Sequence, residues 1–229
     1  MEIMNTKSLH QYAARCRTPR QFRLLLTKLR SVIPYSGMAC KWGNARTAVV
    51  TNILDIDFPR AWLGWYLATG MTRRDPVFDK AAATRRPQMI LDVLQQDRAQ
   101  SHTELIEKVK KYNLQNGFYG SRIDGERMTC FYLVFTSEQQ ARKYLNAFTE
   151  LQDAFAAALF RSYPRPVLTD RKKIILQERA YGKMPHEIAK ELSISTRTVK
   201  MHMEEIKRKL YAVDIVNAVW IGGQTGLIG

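Results

Sequence analysis

Three side chains in the first half of the chain could together hold a small polar molecule. Trp62 and Tyr66 stand one helical turn apart, and Asp75 follows nine residues after the tyrosine, directly before Pro76. On a helix Trp62 and Tyr66 share one face, joined by Phe58, Trp65 and Thr69. Each of the two rings carries a single polar group on an apolar body, and the carboxylate supplies an acceptor for an N–H. Such a set suits a ligand with carbonyl oxygens, an amide N–H and an apolar tail. The same residues also read as an aromatic core stripe, with Asp75 as the N-cap of a helix that starts at Pro76.

A second set lies near the end of the chain, in STRTVKMHMEEIKRKL, residues 195–210. At about 100° per residue, Val199, Met203, Ile206 and Leu210 form an inward stripe. Arg197, Lys200, Met201, Glu204 and Arg208 fall on the opposite face, and Ser195 or Thr196 can cap the helix. A basic outward face suits DNA phosphate, yet Glu204 sits near its centre and Glu205 to its side. Either Lys200 and Arg208 hold Glu204 in i,i+4 pairs, or its carboxylate accepts from a cytosine amino group.

The elements around this helix decide what it can do. In LTDRKKIILQERAYGKMPHEIAKEL (168–192), Thr169 is placed to cap a helix and Ile174 and Ile175 supply apolar positions. Gly182 is placed to end that helix in a left-handed conformation, and Pro185 suits the first turn of the next. Ile188, Ala189 and Leu192 form the buried side of this second helix, and SIS (193–195) can only turn. Two short helices across a tight turn, the second followed by a basic helix, describe a helix-turn-helix unit. A last helix around VDIVNAVWIGGQTG presents Ile215, Ala218 and Val219 inward.

The ordered run LT-x-R…G…EIA-x-EL-x-I-S-x-RTVK-x-H…I-x-x-KL, over about the last 60 residues, resembles the DNA-binding domain of LuxR-type (GerE-like) transcriptional regulators. The resemblance implies base contacts from Lys200 and Met201 and phosphate contacts from Thr198 and Lys207. Lys172 stands where the family usually has a Glu that completes a capping box, and Ser193 where it usually has a Gly of the turn.

Composition agrees with a nucleic-acid partner. The chain of 229 residues carries a formal charge of +15. The distribution is less expected: residues 168–229 hold 11 Lys/Arg against 7 Asp/Glu, and the remainder 25 against 14, so most of the excess lies outside the helix-turn-helix. That surplus reads either as a solvated basic surface or as a preference for an acidic ligand or partner. Cys16, Cys40 and Cys130 are odd in number, widely spaced and free of any CxxC, which suits a reducing cytoplasm and gives no zinc site. No apolar run is long enough to span a bilayer, and the first residues lack a signal-peptide core. His10, His102, His186 and His202 are scattered without catalytic spacing, no Gly-rich phosphate loop occurs, and no enzyme is expected.

Upstream of the helix-turn-helix, TSEQQARKYLNAFTELQDAFAAALFRSY (136–163) is one long helical pattern that PRPVLT interrupts. This places a first domain at 1–163, a linker at 164–168 and the DNA-binding domain at 169–229. In the first domain Thr18, Pro19 and Gln21 predict a capping box. MACKW and TAVVTNIL predict paired strands, FPRAWLGWYLAT and DPVFDKAAATRR helices, about 97–113 a longer helix, and GFYGSRI and MTCFYLVF two more strands. The expectation is α+β: an antiparallel sheet flanked by helices as a sandwich, followed by an all-α helix-turn-helix domain.

FPRAW-x-x-x-Y…DP, with NLQNG (113–117) about forty residues on, resembles the acyl-homoserine-lactone-binding domain of quorum-sensing LuxR-type receptors. The resemblance implies that Trp62 donates to a lactone carbonyl, Tyr66 to an acyl carbonyl, and that Asp75 accepts from the amide N–H, with Gly117 a structural glycine. Ile90 takes the place of a Trp that shapes the lactone end, and Val77 and Phe131 stand near positions where hydroxyl residues often help. The expected protein is a cytoplasmic, homodimeric regulator on a pseudo-palindromic double-stranded DNA site, controlled by an acyl-amide ligand, with no cofactor and no membrane association. RNA polymerase is a further expected partner. The alternatives are a first domain that only dimerises, and a sensor of an anionic, nucleotide-like ligand.

Overall fold

A computed structural model of the chain describes residues 5–45, 49–71, 74–96, 103–164 and 167–229. The chain divides into two compact units, Met1–Pro164 and Arg165–Gly229.

The first unit is built on a five-stranded, wholly antiparallel sheet of β1 (Gly37–Asn44), β2 (Val49–Ile56), β3 (Gln88–Met89), β4 (Gly117–Asp124) and β5 (Arg127–Val134), in the order β2-β1-β5-β4-β3. Helices α1 (Thr6–Arg15), α2 (Pro19–Leu29) and α7 (Glu138–Ser162) belong to one side. Helices α3 (Arg60–Ala68), α4 (Pro76–Thr84), α5 (Ile90–Gln96) and α6 (Thr103–Lys111) belong to the other. The expected α+β sandwich is therefore present. The predicted helix over about 97–113 begins at Thr103 where it can be seen, since 97–102 lie outside the described residues. Strand β3 and helices α1 and α5 were not read from the sequence.

Local chemistry explains the elements. Thr18 accepts from the Gln21 amide while the Gln21 side chain returns to the Thr18 N–H, so the expected capping box starts α2. Its buried stripe of Phe22, Leu25, Leu26 and Leu29 belongs to the layer that α2 forms with α1 and α7 on one face of the sheet, each side chain contributing about 1.5–3 kcal/mol by leaving water. On that face Phe131 packs edge-on against Phe148 and Phe155 of α7, with ring centroids 5.7 and 6.4 Å apart. Phe131→Ala would remove the ring that both contacts share, at about 3–5 kcal/mol. The second face carries Ala39, Tyr119, Cys130 and Tyr132 against α3 to α6. Gly117 cannot carry a side chain: a Cβ there would lie 2.5 Å from the Leu133 carbonyl oxygen and 2.8 Å from Ile90 Cδ1.

The second unit comprises α8 (Asp170–Ala180), α9 (Pro185–Glu191), α10 (Thr196–Leu210) and α11 (Ile215–Gln224). Val199, Ile206 and Leu210 of α10 are buried with Ile175, Leu176, Ile188 and Ala218, and Met203 packs against them, as the helical spacing requires. Ile174 differs from expectation: it lies on the exposed side of α8, and Leu176 takes the core position beside Ile175. Thr169 occupies the N-cap of α8 without a side-chain bond to it. Gly182 adopts φ +87° just past α8, and Ser193 adopts φ +51° in the turn before α10. The first suits glycine, whereas the second holds an L side chain in the left-handed region.

Candidate functional site

In the first unit, α3 and the start of α4 bring Trp62, Tyr66 and Asp75 together inside the core, at 2, 0 and 4 % exposure. Trp62 stacks on Tyr66 with centroids 4.5 Å apart, and Phe58 meets Trp62 edge-on at 5.5 Å. Asp75 fills both roles its position allows. Its Oδ1 accepts from the Val77 amide at 2.9 Å as the N-cap of α4, and its Oδ2 accepts from the Tyr66 hydroxyl at 2.5 Å. Val77 and Ile90 line the same cluster.

Phe131 does not. Cys130 and Tyr132 point toward α3, so the residue between them faces α7, and Phe131 stands outside the candidate site. The sequence reading was one residue out of phase, which in a strand moves a side chain to the other face. Trp65 also leaves the group: it is half-buried at the rim, donating to Glu104 at 3.0 Å. Thr69 is exposed and donates to the Trp65 carbonyl.

The residue that sequence reasoning missed is Lys41. It lies on β1 opposite Cys130, which itself pairs with Ser121, so the three form a row across the sheet. Its side chain is 2 % exposed and donates from Nζ to the Tyr66 hydroxyl at 3.0 Å. The ammonium lies over the Tyr66 ring at 4.3 Å and the Tyr119 ring at 5.2 Å. Burial pushes the Lys41 pKa down, with Asp75 pulling the other way. Burial and then the Asp75 charge push the Tyr66 phenol well above its ordinary value, so it remains the proton donor to the carboxylate. Burial raises the Cys130 thiol to about 11, which keeps it protonated and unreactive. Among the described residues, three polar atoms of this region are buried without a conventional hydrogen-bond partner: Trp62 Nε1, Ser121 Oγ and the Tyr119 hydroxyl, which meets only the Cys130 thiol. All three can donate, and each is a group whose burial unpaired is costly.

In the second unit Ser195 caps α10, its Oγ accepting from the Thr198 amide at 3.0 Å and meeting the Thr198 hydroxyl at 2.8 Å. Arg197, Lys200, Met201, Glu204 and Arg208 are exposed, and Thr196, Thr198 and Lys207 half-buried. Glu204 pairs with Lys207 at 2.7 Å, three residues on, rather than with Lys200 or Arg208. Glu205 reaches back to Lys172 of α8 at 2.8 Å, and that partner holds its carboxyl below the usual range. Lys172, which cannot complete a capping box, instead ties α8 to α10. Among the described residues, Arg197 and Lys200 form no salt bridge, no three His, Cys, Asp or Glu side chains gather where they could hold a metal ion, and no helix is long and apolar enough to cross a membrane.

Comparison with known proteins supplies the lineage. The chain is 28% identical over 178 residues, 75% of its length and 73% of the other's, to the HTH-type quorum sensing-dependent transcriptional regulator RpaR of Rhodopseudomonas palustris. The fold is shared with Escherichia coli SdiA (TM-score 0.52, 19% identity, 97% of each chain). It is also shared with the N-acylhomoserine lactone dependent LuxR family factor CepR2 of Burkholderia cenocepacia (TM-score 0.55, 14% identity, 69% of this chain and 94% of that one). Residues 166–221 match the family described as bacterial regulatory proteins, luxR family, and residues 35–160, over half of the chain, match the autoinducer binding domain. The chain belongs to the LuxR family of transcriptional regulators, with an autoinducer-binding domain ahead of a helix-turn-helix.

Proposed function

We propose that this regulator binds a pseudo-palindromic DNA site as a cytoplasmic homodimer, and that a small amide-containing ligand in the first domain controls it. The observation that carries the reading is a cluster of hydrogen-bonding groups inside an otherwise apolar core: Trp62, Tyr66 and Asp75, with the indole N–H unpaired. The quorum sensing-dependent character named for RpaR supports it. On the DNA side, Lys200 and Met201 would read base edges, and Ser195, Thr196, Arg197, Thr198, Lys207 and Arg208 would serve the phosphates and the helix start. One observation favours a second reading, in which the first domain only dimerises: Tyr66 and Asp75 already satisfy each other, with Lys41 beside them.

Melting the full chain with a panel of acyl amides, in parallel with DNA binding, separates the two. A true ligand at about 100 times its Kd stabilises the fold by about 2.7 kcal/mol, a rise on the order of 5 °C or more. That rise disappears in Asp75→Asn and Trp62→Phe, with DNA affinity changing in step. Lys200→Ala costs about 1–3 kcal/mol on the cognate site and relaxes its preference. Protein from a ligand-free host that is dimeric, binds DNA at full affinity and ignores every acyl amide would leave the first domain as a dimerisation module.

A further inference from the structure

The buried side of the sheet facing α3 holds an ammonium that, among the described residues, no carboxylate meets directly. Nζ of Lys41 has three N–H bonds and meets one acceptor, the Tyr66 hydroxyl. Trp62 Nε1 and Ser121 Oγ are buried with no partner, and the Tyr119 hydroxyl meets only the Cys130 thiol. Among the described residues, the buried carboxylate there is Asp75, which already accepts from the Val77 amide and from Tyr66. A ligand carbonyl that accepts from the Tyr66 hydroxyl displaces its bond to Asp75 and leaves the Lys41–Tyr66 bond in place. A neutral head group leaves the buried ammonium with no counter-charge in direct contact, which is costly. A carboxylate takes a spare N–H of Lys41 and puts a counter-charge at that point.

Resting on the reading of this face as the ligand site, we propose that Lys41 makes it select an acid. The ligand class is an N-acyl amino acid, whose carboxylate takes the Lys41 ammonium while its amide N–H goes to Asp75. Each buried charge then has its own set: Asp75 keeps Val77 N–H, Tyr66 O–H and the ligand N–H, and Lys41 keeps the ligand carboxylate over the Tyr66 ring. Trp62 and Tyr119 supply donors for the remaining oxygens. An anion beside Lys41 also reverses the effect of burial on its ammonium. The basic surplus of residues before 168, 25 Lys/Arg against 14 Asp/Glu, raises the local concentration of such an anion.

The test is a matched pair of probes that differ only by ring opening: N-octanoyl-homoserine lactone and N-octanoyl-homoserine, with the N-phenylacetyl pair beside them. Calorimetric titration of the full chain at mildly acidic pH, where the lactone survives the experiment, gives the affinity ratio. The wild-type chain is expected to bind the open acid about tenfold or more tighter than its lactone. Lys41→Met and Lys41→Gln are each expected to lose that preference by weakening the acid alone. A wild-type chain that binds the lactone and not the acid overturns the role of Lys41 and leaves the ligand reading standing. An unchanged ratio in both variants does the same. If no member of either pair binds any of the three proteins, both this proposal and the ligand reading fall.

Discussion

A lysine meets a carboxylate in each of the two units, and the two meetings obey different physics. In the first, Lys41, Tyr66 and Asp75 form a chain of two hydrogen bonds at almost no exposure. On α10, Lys207 meets Glu204 in a single contact whose carboxylate side chain is 72 % exposed. Inside the core a charge has no water to fall back on, so removing one partner strands the other. On the helix surface water replaces whichever partner is lost, and the pair changes stability little. The buried set therefore bears on the stability of the first unit. The exposed pair governs how much positive charge the DNA face presents.

The sharpest way to break this contrast is to cut the buried chain at each end. Asp75→Ala leaves Lys41 buried without its counter-charge and strips the N-cap of α4, and is expected to cost about 3–5 kcal/mol. In a unit of this size that lowers the first-domain transition by on the order of 10 °C. Lys41→Met keeps the volume and leaves Asp75 with both of its donors, so it should stay within about 1.5 kcal/mol of the parent. Urea denaturation followed by tryptophan fluorescence reads both. Equal losses from the two substitutions would mean that the Asp75 carboxylate depends on the Lys41 charge as strongly as Lys41 depends on it.

A smaller effect separates backbone strain from charge in the second unit. Ser193 sits at φ +51° in the turn that sets α10 against α9, where glycine is the residue without a steric penalty. Ser193→Gly is expected to stabilise the helix-turn-helix by about 0.5–1 kcal/mol, raising its melting by a few degrees, with DNA affinity unchanged. Calorimetry of the full chain, following the second-unit transition, checks it. A loss of stability would show that the serine has a compensating contact.

How much of this was legible beforehand follows from which signals are local. The capping box of Thr18 and Gln21, the inward stripe of α10 and the left-handed turn at Gly182 depend on residues within one or two turns of each other, and each is present. The clustering of Trp62, Tyr66 and Asp75 was legible because helix periodicity fixes the first two and the Pro76 signal fixes the third. Lys41 was not. In MACKW its neighbours are apolar, and a lone lysine at that phase reads as the solvent side of a half-covered strand. Here both faces of the sheet are covered, so the alternate phase points into the core as well. Phe131 failed for a related reason, because in a strand buried on both sides hydropathy does not reveal which phase faces which helix layer. The two-residue β3 is too short to show any period at all.

The smallest effect settles why carboxylates stand in the middle of a DNA-facing helix. Glu205 is accounted for within the unit, since it holds Lys172 of α8. Glu204 holds Lys207, a cation otherwise suited to a phosphate, so in the free protein one positive charge is masked. Glu204→Gln removes the mask. Helix stability should change by only roughly 0.2–0.5 kcal/mol. Non-specific DNA affinity should rise, and the slope of log affinity against log salt should steepen by about 0.9, the value of one added phosphate contact. Glu205→Gln frees a lysine tied to α8 and should leave that slope unchanged. Selection of binding sites from random DNA then distinguishes masking from base reading. If Glu204→Gln returns the parental motif with the steeper slope, Glu204 acts through Lys207. If one base pair of the motif changes while the slope does not, the carboxylate reads a cytosine amino group, and the pair with Lys207 is broken on the specific site.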